Sequence, residues 1–457
     1  MPLQAQQCEH LASGLSATLL LSLSEAVMSK TTSALIAMLI ASGAAMPASA
    51  QNNSSAIFRE VTGNVSLTER QRTFLGVAGA SNTATGLKIV DAVPYFILHS
   101  LLTGDASKPA APSKISLTLS DNVVLTASRI NVVETSDSGI WRGTAEESGG
   151  RVALMWWADG GMAGIVENEG RYYSIRRISG SLHAIVELSD ELMPPDHPRS
   201  LLVSSNDPIR RPRGGINVLT APQPSGTQSK IRRSAPRGDV TIDVMVAYTK
   251  KAASYYGDIQ RELIDLSVEE ANQSFRISNL GNVKLRLVHA YETDYVEEGG
   301  HFDHVWRLAD KGDGYLEEVH ALRDKYRADV VILIVDDAQG CGLSTRVHAD
   351  VDEAFAVVHH ECAATTLSLA HEIGHIIGAR HDLMIDKEMT PFAYGHGYVN
   401  GSKWRDIMSY KESCGGCRRV PLWSNPNVLY DGAPAGTPEQ DNARVISEEA
   451  ARVAAFR

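Results

Sequence analysis

Residues 371–382 read His-Glu-Ile-Gly-His-Ile-Ile-Gly-Ala-Arg-His-Asp. His371 and His375 are four apart, which on a helix puts both rings on one face, one turn from each other. That spacing suits two ligands of a tetrahedral zinc ion. Thr365 and Thr366 offer capping hydroxyls, so a helix is predicted over residues 367–377. Gly378 follows its last turn, where a residue with positive φ ends a helix and reverses the chain. The reversal returns His381 as a third ligand. Glu372 sits beside the first ligand, able to reach a metal-bound water without occupying the metal. Three protein ligands and one water describe a catalytic zinc rather than a closed structural site. Zinc lowers the pKa of its water and polarises a carbonyl. Glu372 is then the general base that passes the water's proton to a leaving amine. A buried helix with surface histidines would mimic a bare HExxH pattern, but not the added Gly378 and His381.

Upstream of the motif, strands and helices alternate. Residues 240–248 and 283–291 read as strands, 259–275 and 315–326 as helices, and 354–359 as a shorter strand placed at an edge. Residues 329–335 are nearly continuous apolar, as in a sheet covered on both faces. The expected fold over residues 239–457 is α+β or α/β: a twisted mixed sheet plus the motif helix.

The long motif resembles the metzincin clan of zinc peptidases. The resemblance implies a Met-containing turn beneath the metal, matched by Asp406-Ile407-Met408-Ser409-Tyr410, with Met408 as a soft apolar floor. It also implies that Tyr410 stabilises a tetrahedral oxyanion, as in the astacin-like and serralysin-like branches. Ile242 to Thr249, Tyr394-Gly395-His396-Gly397-Tyr398, Trp404-Arg405 before the Met-turn, Trp423 to Asn427 and Asp441 to Val445 narrow the likeness. With them, most of residues 239–457 is similar to the bacterial peptidyl-Asp metallopeptidases. That likeness implies cleavage on the N-terminal side of Asp, less readily Glu. An acidic side chain after the scissile bond needs a cationic pocket, and in metzincins the segment after the Met-turn forms one wall of it. Here that segment holds Lys411, Arg418 and Arg419, with Arg405 just before it. An Arg grips a carboxylate bidentately, so Arg418 or Arg419 is the first choice. Each of the four, taken alone, also reads as a solvated surface charge.

Residues 56–190 carry short alternating segments separated by turns such as Asp159-Gly160-Gly161 and Asn168-Glu169-Gly170. They predict an all-β unit in which nothing gathers into a catalytic constellation. This front half is similar to the propeptides that precede such enzymes, which implies an all-β prodomain acting as an intramolecular inhibitor. From Pro194 to Gly238 the chain is rich in Pro, Ser, Gly and Arg and reads as an exposed, cleavable linker. The expected order is a β-rich propeptide over 51–203, a linker over 204–238 and a catalytic domain over 239–457. Residues 51–236 hold no cysteine, which excludes a cysteine cover for the metal. A carboxylate, or an imidazole such as His197, is left to do it. Asn206–Asp207 and Gly238–Asp239 are bonds that precede Asp, and self-cleavage is expected at or near one of them. Met28-Ser29-Lys30, the apolar residues 34–45 and Pro47-Ala48-Ser49-Ala50 read as a signal peptide over 28–50, with residues 1–27 an upstream extension. The apolar run is well short of the ~20 residues a membrane span needs. The protein is thus expected to be secreted, to the periplasm or beyond, with protein or peptide substrates as its partners.

An exported chain favours disulfides. Setting aside Cys8 in the upstream extension, Cys341, Cys362, Cys414 and Cys417 form an even set. The pairs 341–362 and 414–417 are expected, although four cysteines allow three pairings. The rival for Cys414-Gly415-Gly416-Cys417 is half of a zinc site, with no second CxxC to complete it. Asp350, Asp352 and Glu353 are candidates for Ca2+, without a ligand-spaced loop motif. The 457 residues are 43% hydrophobic and 21% charged, which excludes wholesale disorder. A net charge of -11 excludes a general binder of nucleic acid or anionic membrane. The charge is uneven: residues 237–457 hold 23 Lys+Arg against 35 Asp+Glu, leaving 20 against 19 in residues 1–236. Two other functions fit parts of the pattern. A broad-specificity metzincin is separated by peptide-library profiling. A non-catalytic exported binding protein, its β-rich front half holding a ligand, has no need of Glu372, and a chelator-sensitive peptidase assay separates it from an enzyme.

Overall fold

The computed structural model describes residues 55–93, 113–135, 137–198 and 238–457. The expected extension at 1–27 with Cys8, the expected leader at 28–50, the Asn206–Asp207 bond and residues 204–237 of the expected linker lie outside the described residues.

The front half is built on one ten-stranded sheet. Its elements are β1 (Ser55–Ala56), β2 (Phe58–Glu60), α1 (Glu69–Gly79), β3 (Ala84–Ala92), β4 (Lys114–Thr118), β5 (Val124–Glu134), β6 (Ser138–Ala145), β7 (Arg151–Trp157), β8 (Met162–Asn168), β9 (Arg171–Ser179) and β10 (Leu182–Ser189). The strand order is β1-β4-β5-β6-β7-β8-β9-β10-β3-β2. β1 pairs with β4 and β2 with β3, and only Ile57 separates β1 from β2. The two ends of the order therefore meet, and the sheet closes on itself, hiding strand edges that would otherwise invite pairing. Alternation sorts the side chains. Trp141, Leu154, Trp156, Val166, Tyr173 and Ile175 fill the enclosed core. Ile140, Ala153, Ile165, Tyr172 and Val186 face the other way. The all-β expectation needs one correction, because α1 is a full helix. Thr68 and Gln71 cap it reciprocally. Only Phe74 and Ala78 of α1 are buried, too few to announce a helical period in the sequence.

The rear half carries β11 (Val240–Thr249), α2 (Leu266–Ile277), β12 (Val283–Thr293), α3 (His301–Ala309), α4 (Glu318–Tyr326), β13 (Val330–Val335), β14 (Gly342–Ser344), β15 (Phe355–His359), α5 (Ser368–Ile377) and α6 (Asn442–Val453). Its main sheet runs β12-β11-β13-β15-β14. The first four strands are parallel and β14 is antiparallel, so the sheet is mixed. The edge strand is the three-residue β14; β15, placed at an edge by its sequence, lies one strand inside it. β13 shows why its run is apolar throughout. Val330, Ile332 and Ile334 join the core that includes α2 and α5. Val331, Leu333 and Val335 join the core under α3 and α4.

The outward-facing residues of the front sheet belong to the same core cluster as β11, α2 and α5. Charge divides the chain into two halves, but the apolar core runs through both. No helix among the described residues is long and apolar enough to cross a membrane.

Candidate active site

α5 carries His371 and His375. It begins at Ser368, with Leu367 left-handed before it at φ 61 and no side-chain cap. The expected threonine caps do other work. The Thr365 hydroxyl donates to the Glu361 carbonyl, and that of Thr366 to the Cys362 carbonyl at 3.0 Å, so both belong to the preceding turn. Gly378 ends α5 at φ 135, where an L side chain would be strained. The N–H groups of Gly378 and Ala379 both donate to the Gly374 carbonyl at 2.9 Å, and the reversed chain delivers His381.

The three imidazoles converge through Nε2, at 3.1 Å for 371–375, 2.9 Å for 375–381 and 3.3 Å for 371–381. The Nδ1 atoms of His371 and His375 face the carbonyls of Ile407 at 2.8 Å and Ala379 at 2.9 Å. A carbonyl only accepts, so each Nδ1 carries the proton and each Nε2 turns a lone pair to the centre. Lone pairs aimed at one another repel unless a cation lies between them. Tetrahedral zinc with bonds of about 2.0–2.1 Å holds its nitrogens about 3.3 Å apart. The donor set fits that ion. Burial lowers the pKa of His371 and His381 well below the ordinary value and that of His375 to about 4, which keeps the lone pairs available.

Glu372 is fully buried, and neither of its oxygens accepts a hydrogen bond from a described residue. The edge strand makes room for it: a Cβ on Gly342 would lie 2.4 Å from Oε1. Met408 is fully buried beneath α5, with its Sδ 3.0 Å from where a Gly374 Cβ would be. The Tyr410 ring meets His381 edge-on at 4.6 Å. Asp382, which the sequence reading gave no role, ties the ligand loop to the Met-turn. One of its oxygens accepts from the Tyr410 N–H at 3.0 Å, the other from the Ser413 hydroxyl at 2.8 Å.

A fourth imidazole enters from the front half. His197 Nδ1 and the Tyr410 hydroxyl are hydrogen-bonded at 2.6 Å, and His197 Nε2 lies 3.4 Å from Glu372 Oε1. His197, His371, His375 and His381 each place a ring nitrogen within 4.8 Å of the others. His197 is 3% exposed, so the start of the stretch read as an exposed linker is buried in the cleft. The Pro195 and Asp196 carbonyls accept from the N–H groups of Cys341 at 2.7 Å and Gly342 at 3.3 Å.

The four candidate cations differ sharply. Arg419 pairs with Asp196 at 2.7 Å and donates to the carbonyls of Thr366 and Ser409. Burial works to raise the Asp196 pKa, but Arg419 and Arg405 outweigh it and hold the carboxyl below its usual range. Arg405 donates to the Ser409 carbonyl at 3.1 Å and to that of Cys417. Lys411 pairs with Asp190. Arg418 donates to the Gly149 carbonyl at 2.6 Å.

Both expected disulfides are formed, Cys341–Cys362 beside β14 and Cys414–Cys417 after the Met-turn. The calcium candidates do not gather: Asp350 accepts from the Asp352 N–H, and Glu353 pairs with Arg346 at 2.7 Å. A different group, Asp336, His359 and His360, does bring ligand atoms within 4.8 Å of one another.

The model of metallo-peptidase family M12 matches residues 239–424. A peptidyl-Asp metalloendopeptidase of Xanthomonas campestris pv. campestris is 34% identical over 371 residues, covering 77% of this chain and 84% of that one. One of Stenotrophomonas maltophilia is 36% identical over 302 residues, covering 65% and 68%. A crystal structure of metalloproteinase-II from Bacteroides fragilis aligns with a TM-score of 0.33 at 12% identity, over 59% of this chain and 81% of that one. The chain belongs to the peptidyl-Asp metalloendopeptidase family of zinc-dependent metallopeptidases.

Proposed function

We propose that the chain is a secreted endopeptidase that hydrolyses peptide bonds on the N-terminal side of Asp, less readily Glu, and that its front half is an inhibitory propeptide. The observation that carries the catalytic reading is the convergence of three imidazole Nε2 atoms beside the buried Glu372 carboxylate, which accepts no hydrogen bond from a described residue. His371, His375 and His381 would hold zinc, which supplies Lewis acidity to a water and to the scissile carbonyl. Glu372 takes the water's proton and returns it to the leaving amine. The Tyr410 hydroxyl donates to the developing oxyanion. The Asp preference is supported by the names of the relatives and by the cations after the Met-turn. The inhibitory role is supported by His197, which stands over the three ligands and engages Tyr410. The leader at residues 28–50 supports secretion. Cleavage before Asp239 would release the front half and leave β11 whole.

Cleavage-site mapping on a denatured protein tests the whole reading. Cuts are expected before Asp, lost with a chelator and restored by zinc. Glu372→Gln should keep its zinc and lose about two to four orders of magnitude in rate. Retained activity in Glu372→Gln, or cuts spread evenly over residue types, defeats the proposal. The same mature N-terminus from a Glu372→Ala chain would show that another protease removes the front half.

A further inference from the structure

Two of the three cations after the Met-turn, Lys411 and Arg419, are neutralised by one short segment of the front half. Lys411 is paired with Asp190, and Arg419 with Asp196. Arg405 is held by the Ser409 and Cys417 carbonyls beside this group. Backbone pairing explains why these arginines act together. Trp404–Arg405 and Arg418–Arg419 form a parallel pair in which Trp404 is opposite Arg418 and Arg405 is opposite Arg419. Successive side chains in a strand point to opposite faces. Arg405 and Arg419 therefore share one face, and Arg418 is on the other, turned to Gly149. The Ser409 carbonyl of the Met-turn accepts from both Arg405 and Arg419 at 3.1 Å and fixes the two guanidiniums side by side.

This arrangement leaves a debt when the front half departs. Arg419 loses its paired carboxylate, while the Ser409 and Thr366 carbonyls still hold its guanidinium in position to take another. The group that restores the balance is another carboxylate in the same place. A cavity of about 310 Å3 adjoins it, bounded by Met193, Pro195 and Asp196 on one side and by Arg405 and Lys411 on the other.

We propose that Asp196 occupies the subsite that reads the acidic side chain of a substrate, with Arg419 as the specificity-determining residue, Arg405 beside it and Lys411 at the mouth. The proposal rests on the Asp-directed reading given above. Asp196 and His197 then act as one unit: the carboxylate fills the specificity subsite while the neighbouring imidazole covers the ligands. The segment resists being cut because the Pro195 and Asp196 carbonyls are spent on the N–H groups of Cys341 and Gly342. Neither carbonyl is offered to the three histidines. Inhibition and specificity thus use the same arginine.

The test uses the full chain and its self-processed product. Wild type is profiled first on a peptide library, and absence of an acidic preference there defeats the Asp-directed reading itself, before any variant is made. With the preference present, Arg419→Gln should lower the Asp-to-Asn discrimination at the position after the cut at least about a hundredfold. Arg418→Gln should leave that ratio within about twofold, as expected of an arginine on the opposite face. Should Arg419→Gln fail to fold, Arg419→Lys keeps the charge but changes its reach, and should shift the Asp-to-Glu ratio. Asp196→Asn in the full chain should raise activity before processing by about tenfold or more, since it unpairs a buried charge. Unchanged ratios in both Arg419 variants overturn the proposal while leaving the Asp-directed reading intact. Unchanged latency in Asp196→Asn overturns the pseudosubstrate role.

Discussion

On the proposed reading, Tyr410 would serve two states. Its hydroxyl is bonded to His197, and its ring lies against His381. Burial holds the phenol protonated, with its pKa raised well above the ordinary value. Once His197 leaves, a neutral O–H donor is free to turn to an oxyanion. Tyr410→Phe should therefore lower kcat of the processed enzyme by about 10²–10³ with little change in KM, the cost of one oxyanion donor. Steady-state kinetics checks this, and a kcat within a factor of about two of wild type assigns the donor elsewhere. His371, Glu372 and His375 could be placed from sequence because helix periodicity converts their spacing into geometry, and His381 because Gly378 marks the turn that returns it. Asp196 and Asp382 could not, because each acts across more than 25 residues of sequence, on Arg419 and on the Met-turn. A single sequence carries no local signal for such a contact.

At the scale of elements, α5 must be thin where it crosses the Met-turn. A Cβ on Gly374 would lie 2.6 Å from the Trp423 ring and 3.0 Å from the Met408 Sδ. Trp423 cannot retreat freely: it is fully buried, and its Nε1 donates to the Ser274 hydroxyl at 2.9 Å. Ala is a better helix former than Gly by about 1 kcal/mol, but overpacking a tight core costs about 1–3 kcal/mol. The clash should win, so Gly374→Ala should destabilise by about 1–2 kcal/mol in chemical denaturation and lower zinc affinity as the ligand helix shifts. A more stable Gly374→Ala protein would mean that Trp423 repacks at no cost. The parallel strands and α2 were readable because each runs several residues with one period. β14 was not: three residues, Gly342–Ser344, cannot display alternation, and its defining Gly342 answers to Glu372 across the cleft rather than to its neighbours. α3 was also missed, since it sits between Gly299-Gly300 and the Gly-rich turn at 312–314, where turn residues dominate the pattern.

Over the whole molecule, the two halves are held by crossed charges as well as by a shared core. Asp190 and Asp196 of the front half meet cations of the rear half, while Arg142 and Arg151 of the front half meet the buried Glu270 of α2. The near-neutral front half is thus not inert toward the acidic rear half; it carries both signs to the places where each is needed. Glu270 gives a pH prediction with a definite sign. Burial tends to raise its pKa, but Arg151 and Arg142 outweigh that and hold it below the ordinary 4.5. A carboxyl with a depressed pKa stabilises the assembled state above its free value and loses that contribution as pH falls through the depressed one. Association of a nicked front half should therefore be strongest above about pH 5 and weaken progressively as pH is lowered below the ordinary carboxylate range. Glu270→Gln should bind the front half less tightly at neutral pH, because Arg151 loses its paired carboxylate and Arg142 keeps only Glu269, and should show a shallower acid-induced release. Size-exclusion chromatography of the nicked protein between about pH 3 and 7 reads both effects. Equal release profiles for wild type and Glu270→Gln would place the acid-sensitive contact elsewhere, with Asp190 and Asp196 the next carboxylates to replace.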